Sequence, residues 1–213
     1  MAKLIIIGAG GLGRDTETYA RTDVALGREW TLKGFLDTRP DILDRYGMEL
    51  KVIGDPRTYV PEPGDLFVAA IGDTKLRKTL VEPLAAKGAY FIAFRPNALI
   101  GARCRLGRSA YGFHCTLSSD VTVGNYAYIG AESLIGHDSI VCDYAHIGMR
   151  CFVGGRVKVG EGATIHPMAA IAADAQIGEW ATVGVGAVVF GNVPAHTTVI
   201  GNPARQFKFK PEG

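Results

Sequence analysis

The sequence has no long apolar run, no closely spaced cysteine pair and almost no net charge, and each shortage removes a class of protein. No stretch approaches the roughly 18 apolar residues that a membrane helix requires. The four cysteines, Cys104, Cys115, Cys142 and Cys151, include no CxxC pair, so no spacing suits a zinc site. Lys and Arg number 23 against 21 Asp and Glu, a formal charge of +2. That excess is too small to argue for nucleic acid or a membrane surface as partner. Met1-Ala2-Lys3 leads straight into the apolar run Leu4–Ile7 without the pattern of a signal peptide. A cytoplasmic protein is expected, with its cysteines acting as small buried hydrophobes.

Glycine, by contrast, is plentiful at 28 of 213 residues, in an N-terminal cluster and spread through the second half. The first half alternates strand and helix signals. Leu4–Ile7 is a β-branched run ending in Gly8-Ala9-Gly10-Gly11-Leu12-Gly13, and a helix is expected from about Leu12 to Leu26. Thr31–Leu36, Leu66–Ile71 and Tyr90–Phe94 read as strands, and Thr74 to Lys87 as a helix ended by Gly88. Strands alternating with helices predict a small parallel sheet of about four or five strands. Arg95-Pro96-Asn97 breaks the rhythm, because the residue before proline is pushed to an extended conformation.

Beyond that break every sixth residue from Val123 to Val189 is Val or Ile, twelve positions of twelve. Two residues before each aliphatic stands Ala, Ser or Cys in ten of twelve cases, and one residue after it Gly in eight. Ile100 and Leu106 keep the six-residue step, which slips by one before Leu117. A period of six is neither that of a strand nor that of a helix, so it marks a supersecondary repeat. Each hexad supplies one short strand and one corner, with the aliphatic inward and Gly accommodating the corner's positive φ. Three hexads form the smallest closed polygon. The sequence therefore predicts coils of 18 residues, about four of them complete, stacked as a solenoid.

This pattern resembles the left-handed β-helix of the hexapeptide-repeat acyltransferases. Several segments, in order along the chain, resemble one branch of that group. They are Gly8–Gly13, Gly34-Phe35-Leu36-Asp37, Ala70-Ile71-Gly72-Asp73 with Arg77, Ile135-Gly136-His137-Asp138, Tyr144-Ala145-His146-Ile147 and Gly201-Asn202-Pro203-Ala204-Arg205. The branch is the bacterial sugar O- and N-acetyltransferases of the sialic acid O-acetyltransferase and nucleotide-sugar N-acetyltransferase type. The resemblance implies an α/β Rossmann-like domain over residues 1–96 and an all-β left-handed parallel β-helix over residues 97–213. It further implies acetyl-CoA as co-substrate, no metal, and a homotrimer with active sites between subunits.

Acetyl transfer from a thioester requires an acceptor for the nucleophile's proton and donors for the oxyanion. His suits the first role near neutral pH. The hexad register places His137 at a corner, with Ser119, Gly155 and Ala173 above and below it, all small. The resemblance assigns His137 as general base and Asp138 as the carboxylate that orients it, where many relatives have Glu. It places His146 near the acetyl group, although half a coil separates His146 from His137, so the two meet only across a subunit interface. The position of Gly155 above His137 would let its N–H serve the thioester oxygen. By the same resemblance Gly184 and Val185 lie along the pantetheine, and Arg205 and Lys208, with Lys210, meet the coenzyme's phosphates.

The glycine cluster allows close backbone approach to a phosphate at a helix N-terminus, and Asp37 ends the next strand where a ribose hydroxyl is commonly held. On spacing alone these residues suggest NAD, but no dehydrogenase substrate domain follows. The resemblance instead implies that Gly8, Gly10, Gly11, Leu12, Gly13, Asp37, Gly72 and Arg77 hold the nucleotide of a sugar substrate. Leu12 stands where relatives have His, and Thr38 where they have a second Asp. The expected activity is N-acetylation of an amino group on a nucleotide-linked amino sugar. The alternatives are sugar O-acetylation, a zinc-dependent hydratase on the same β-helix, and a non-catalytic scaffold.

Overall fold

The computed structural model describes residues 1–207; Lys208 and Lys210 lie outside the described residues. The N-terminal part contains β1 (Ala2–Ile7), α1 (Gly11–Arg21), β2 (Trp30–Leu36), β3 (Val52–Gly54), β4 (Asp65–Ala69), α2 (Thr74–Ala86) and β5 (Tyr90–Phe91). The five strands form one parallel sheet in the order β3-β2-β1-β4-β5. Leu4 and Ile6 enter one core and Ile5 and Ile7 another. Burial on both faces is why β1 reads as an unbroken aliphatic run rather than an alternating one. The order reverses between β1 and β4, which opens a crevice at the carboxyl ends of those strands.

Several boundaries differ from expectation. Helix α1 stops at Arg21 rather than Leu26, because the Asp23 carboxylate accepts the Ala25 N–H at 2.8 Å and turns the chain. The stretch between β2 and β4 contains a short 3₁₀ turn, Asp44–Tyr46, and the three-residue edge strand β3. Strand β4 begins at Asp65 and ends at Ala69, and β5 ends at Phe91. Helix α2 ends where Gly88 takes φ +84°, which glycine adopts without penalty.

The C-terminal part is a three-sided prism of two-residue parallel strands, a left-handed parallel β-helix. Face 1 runs through Leu99–Ile100, Thr116–Leu117, Leu134–Ile135, Phe152–Val153, Ala170–Ile171 and Val188–Val189. Face 2 holds Arg105–Leu106, Thr122–Val123, Ile140–Val141, Lys158–Val159 and Gln176–Ile177. Face 3 holds Ala110–Tyr111, Tyr128–Ile129, His146–Ile147, Thr164–Ile165, Thr182–Val183 and Thr198–Ile200, with Arg205–Phe207 added antiparallel. Face 1 therefore counts six levels among the described residues, where the repeat suggested about four complete coils. The extra levels were concealed by short coils at the ends. Leu99 pairs Thr116 and Arg105 pairs Thr122, each 17 residues apart, whereas Thr182 pairs Thr198 after only 16.

The inward aliphatics are fully buried from Ile129 to Val183 and stack with the small residues into one core. Each contributes roughly 1.5–3 kcal/mol relative to exposure. The corner chemistry differs from expectation. The left-handed residues fall three positions after the aliphatic and are mostly not glycine: Tyr126, Glu132, Asp138, Tyr144, Arg150, Arg156, Met168, Asp174 and Trp180 all have φ between 55° and 65°. The hexad glycines serve close approach instead. A Cβ on Gly136 would lie 2.5 Å from the backbone of Gly154 and Gly155 one level up, so coil stacking itself demands glycine there.

The sheet domain packs on face 3. Ala110 and Tyr128 complete one of its cores, and Tyr144 the other. Among the described residues no helix is long and apolar enough to cross a membrane.

Candidate active site

Two cavities and one vertex bring the candidate residues together. The first cavity, about 430 Å³, lies at the reversal of the sheet and is lined by Gly8, Gly10, Gly11, Leu12, Asp37, Thr38, Arg39, Gly72 and Asp73 among others. Gly10 and Gly11 face open space, as an incoming phosphate would need. Gly13 does not line it. A Cβ there would sit 1.9 Å from the Gly8 carbonyl, so this glycine permits the helix to close on the loop. Asp37 is buried and accepts the Ala9 N–H at 2.8 Å and two side-chain bonds from Arg39 at 2.9 and 3.1 Å. Burial opposes its charge, but the Arg39 and backbone hydrogen bonds outweigh it and hold the carboxyl below the usual range.

Arg77 is not at this cavity, which corrects the sequence expectation. It is fully buried. Its guanidinium donates to Ile71 O at 2.9 Å, to Ala145 O at 3.0 Å and to Tyr144 O. Burial pushes it down to about 10, which still leaves it a cation at neutral pH. The residue therefore fastens the sheet domain to face 3, helped by Thr74 Oγ1 on Gly162 O at 2.9 Å and Lys78 on Glu161 at 2.7 Å.

The second cavity, about 470 Å³, opens between the sheet domain and face 3. It is lined by Gly72, Asp73, Thr74, Lys75, His146, Gly162, Thr164, His166, Trp180 and Thr182. Gly72 and Asp73 border both cavities. The His146 ring stacks on Tyr128 with centroids 5.0 Å apart, and its Nδ1 is buried with no partner. Desolvation, aided by the Arg77 and His166 charges, pushes His146 down to about 3, so it is neutral at physiological pH. His166 stands in the sequence only as one of five candidate histidines, and Thr164, Thr182 and Trp180 carry no motif there. The signal for the threonines was present, because they stand 18 and 36 residues beyond His146 in the same register.

His137 lies elsewhere, on the vertex between faces 1 and 2. Its side chain is 56% exposed, and Nδ1 meets Asp138 Oδ2 at 2.7 Å. A carboxylate only accepts, so Nδ1 carries a proton, and in the neutral form of the ring Nε2 keeps its lone pair. The ring lies across Gly155, where a Cβ would come within 2.7 Å of Nε2. The Gly155 carbonyl accepts from Asp174 N at 3.0 Å, while its own N–H has no partner among the described residues. Gly184 and Val185 occupy the vertex between faces 3 and 1. Val185 is 69% exposed, and Arg205 is exposed on the added strand beside face 3. Among the described residues no group of three or more His, Cys, Asp or Glu side chains is placed to hold a metal ion.

A sheet domain with a glycine-lined crevice, fused to a left-handed β-helix bearing an exposed His–Asp pair, defines the two-domain hexapeptide-repeat architecture. Comparison gives the relatives. Residues 3–84 match the family model of the PglD N-terminal domain. The whole chain is similar in fold to a mutant perosamine N-acetyltransferase from Caulobacter crescentus, solved with CoA and GDP-perosamine. That match has a TM-score of 0.81 and 23% identity and covers 98% of each chain. It is also similar to the acetyltransferase domain of PglB from Neisseria gonorrhoeae, with a TM-score of 0.78, 22% identity and coverage of 97% of this chain and 100% of that one. WeeI from Acinetobacter baumannii matches with a TM-score of 0.69, 24% identity and the same coverages. No curated protein sequence matches the chain.

Proposed function

We propose that the protein transfers the acetyl group of acetyl-CoA to the amino group of a nucleotide-linked amino sugar, with His137 as general base. One observation carries the reading: an exposed imidazole whose Nδ1 is committed to Asp138, leaving Nε2 free above a bare glycine. The amine attacks the thioester carbon and forms the C–N bond, and Nε2 accepts the proton that the nitrogen sheds. The C–S bond breaks as the tetrahedral intermediate collapses, and that proton is then available to the departing thiolate. The unpartnered Gly155 N–H is a suitable donor to the transient oxyanion. The solved relative holding both CoA and GDP-perosamine supports both substrate classes.

The glycine-lined cavity takes the nucleotide, and the shared border at Gly72 and Asp73 leads its sugar toward His146. The coenzyme runs along the vertex of Gly184 and Val185 toward Arg205. His137 and His146 lie on different sides of one prism, so the complete site requires a neighbouring protomer, in a homotrimer. Face 1 supports this assembly, since it presents Leu99, Leu134 and Phe152 outward at 67, 38 and 52% exposure.

The test is thiol release from acetyl-CoA with panels of UDP-, GDP- and dTDP-linked amino sugars, run beside free sugars with hydroxyl acceptors only. Turnover with an amino sugar is expected, and His137→Ala should lower kcat by about 10²–10⁴-fold, the usual range for a lost general base. Acetylation of hydroxyl acceptors alone, or near-normal kcat in the variant, would overturn the proposal.

A further inference from the structure

The vertex that carries His137 also carries a column of charges, one per coil: Arg103, Asp120, Asp138, Arg156 and Asp174. Backbone bonds lock their spacing. Asp120 N meets Ala102 O at 2.9 Å, Asp138 N meets Ser119 O at 3.2 Å, Arg156 N meets His137 O at 2.8 Å, and Asp174 N meets Gly155 O at 3.0 Å. Neighbouring levels in such a sheet stand about 4.8 Å apart. Arg156 is therefore one level from Asp138 on one side and one level from Asp174 on the other. It takes Asp174 in two parallel bonds, Nε to Oδ1 at 2.6 Å and Nη2 to Oδ2 at 2.8 Å. Below, Arg103 closes on Asp120 in the same way, at 2.7 and 2.6 Å.

Both arginines are thus occupied, and Asp138 is left to the imidazole. The arrangement is not forced by sequence distance, because Asp138 and Asp174 compete for Arg156 from equivalent registers. An arginine that turned to Asp138 would draw the carboxylate away from Nδ1 and let the ring rotate off Gly155.

We propose that Asp174 is a positioning residue: by holding Arg156 in a two-point ion pair it keeps Asp138 committed to His137. This rests on His137 acting as the base. Asp174 touches no reacting atom and acts through Arg156 and Asp138 in turn. Asp174 and Arg156 are surface residues whose loss leaves the core intact, so their variants should fold.

The test is a double-mutant cycle with steady-state kinetics on the full-length protein. Asp174→Asn should lower kcat by about three- to fivefold, the scale on which exposed ion pairs compete, with KM for acetyl-CoA unchanged. Arg156→Gln alone should match wild type, because no cation then competes for Asp138. The double variant should recover the wild-type kcat. That recovery is the decisive readout, since a merely structural role for Asp174 gives no rescue. Wild-type kcat in Asp174→Asn, or a double variant as slow as that single one, would overturn the inference. His137→Ala run alongside separates the two failures: an active His137→Ala sinks the base assignment itself, whereas an inactive one with an indifferent Asp174→Asn sinks only the positioning role.

Discussion

Replacing Gly155 by alanine should separate activity from stability, because the new methyl meets only the His137 ring, the proposed base. Built on the backbone, the added Cβ would lie 2.7 Å from His137 Nε2, 2.8 Å from Cε1 and 3.1 Å from Cδ2, with no backbone atom as close. Ordinary contact between such atoms is about 3.5–4.0 Å, so the imidazole must retreat by roughly 1 Å. Gly155 is not among the glycines of positive φ, so alanine fits the backbone and tends to stabilise through the unfolded chain. The ring is free to move because it is more than half exposed. A misplacement of about 1 Å can cost up to about 10²-fold in rate. The expected result is kcat lowered by roughly 10- to 10²-fold with an unchanged or slightly raised Tm, measured by thiol release and thermal unfolding. Gly154→Ala is the control, since its Cβ would strike the Ala173 backbone at 2.6 Å and should lower Tm first. A Gly155→Ala enzyme with wild-type kcat would refute the claim that the ring's seat on this glycine matters.

Two further outcomes follow from the joint between the domains. Arg77→Ala strands the carbonyls of Ile71 and Tyr144 and takes one of two donors from that of Ala145, which keeps Tyr128 N, and should destabilise by about 3–5 kcal/mol, given charged hydrogen bonds worth about 1.5–3 kcal/mol each and imperfect additivity; an unchanged denaturation midpoint would contradict the role of fastener. His146 titrates near 6.5 when unfolded but is pushed down to about 3 when folded, so below pH 6.5 the unfolded chain binds the extra proton and stability falls. From pH 6.5 to 5 this amounts to on the order of 1–2 kcal/mol, and His146→Gln should show a shallower loss of Tm over that window; equal slopes in the two proteins would remove His146 as the cause.

The sequence announced the prism but not its full height. Val123 to Val189 obey a strict step of six because each fills the same inward position, and nothing else in a polypeptide requires that period. The end coils escaped because they shorten: Tyr111 takes the inward place five residues after Leu106, and Val193 pairs with Ile177 at a distance of 16. Strand β3 was invisible because an edge strand of three residues carries too little pattern. The place of Arg77 is not legible in the sequence, because its partners at Tyr144 and Ala145 lie 67 and 68 residues away and only the packing of α2 on the prism joins them. The hexad glycines do not supply the left-handed turn that the sequence leads one to expect of them. What selects them is the backbone one level up, which linear reading does not display, while the left-handed turn falls two residues later on Asp, Arg, Tyr or Trp. The column containing His146, Thr164 and Thr182 is readable by adding 18, as the column of His137 and Gly155 is.

Because the turns are locked to one another by backbone bonds, the prism behaves as a ruled scale along its axis. Any two groups that must touch can be written at positions 18 apart, and a single exchange at an outward position alters a site without disturbing its supports. The same rule makes the middle of the scale intolerant of length change. One residue inserted between Val123 and Val189 would carry every later aliphatic out of the interior, whereas the shortened first and last turns absorb such slips where fewer neighbours depend on them.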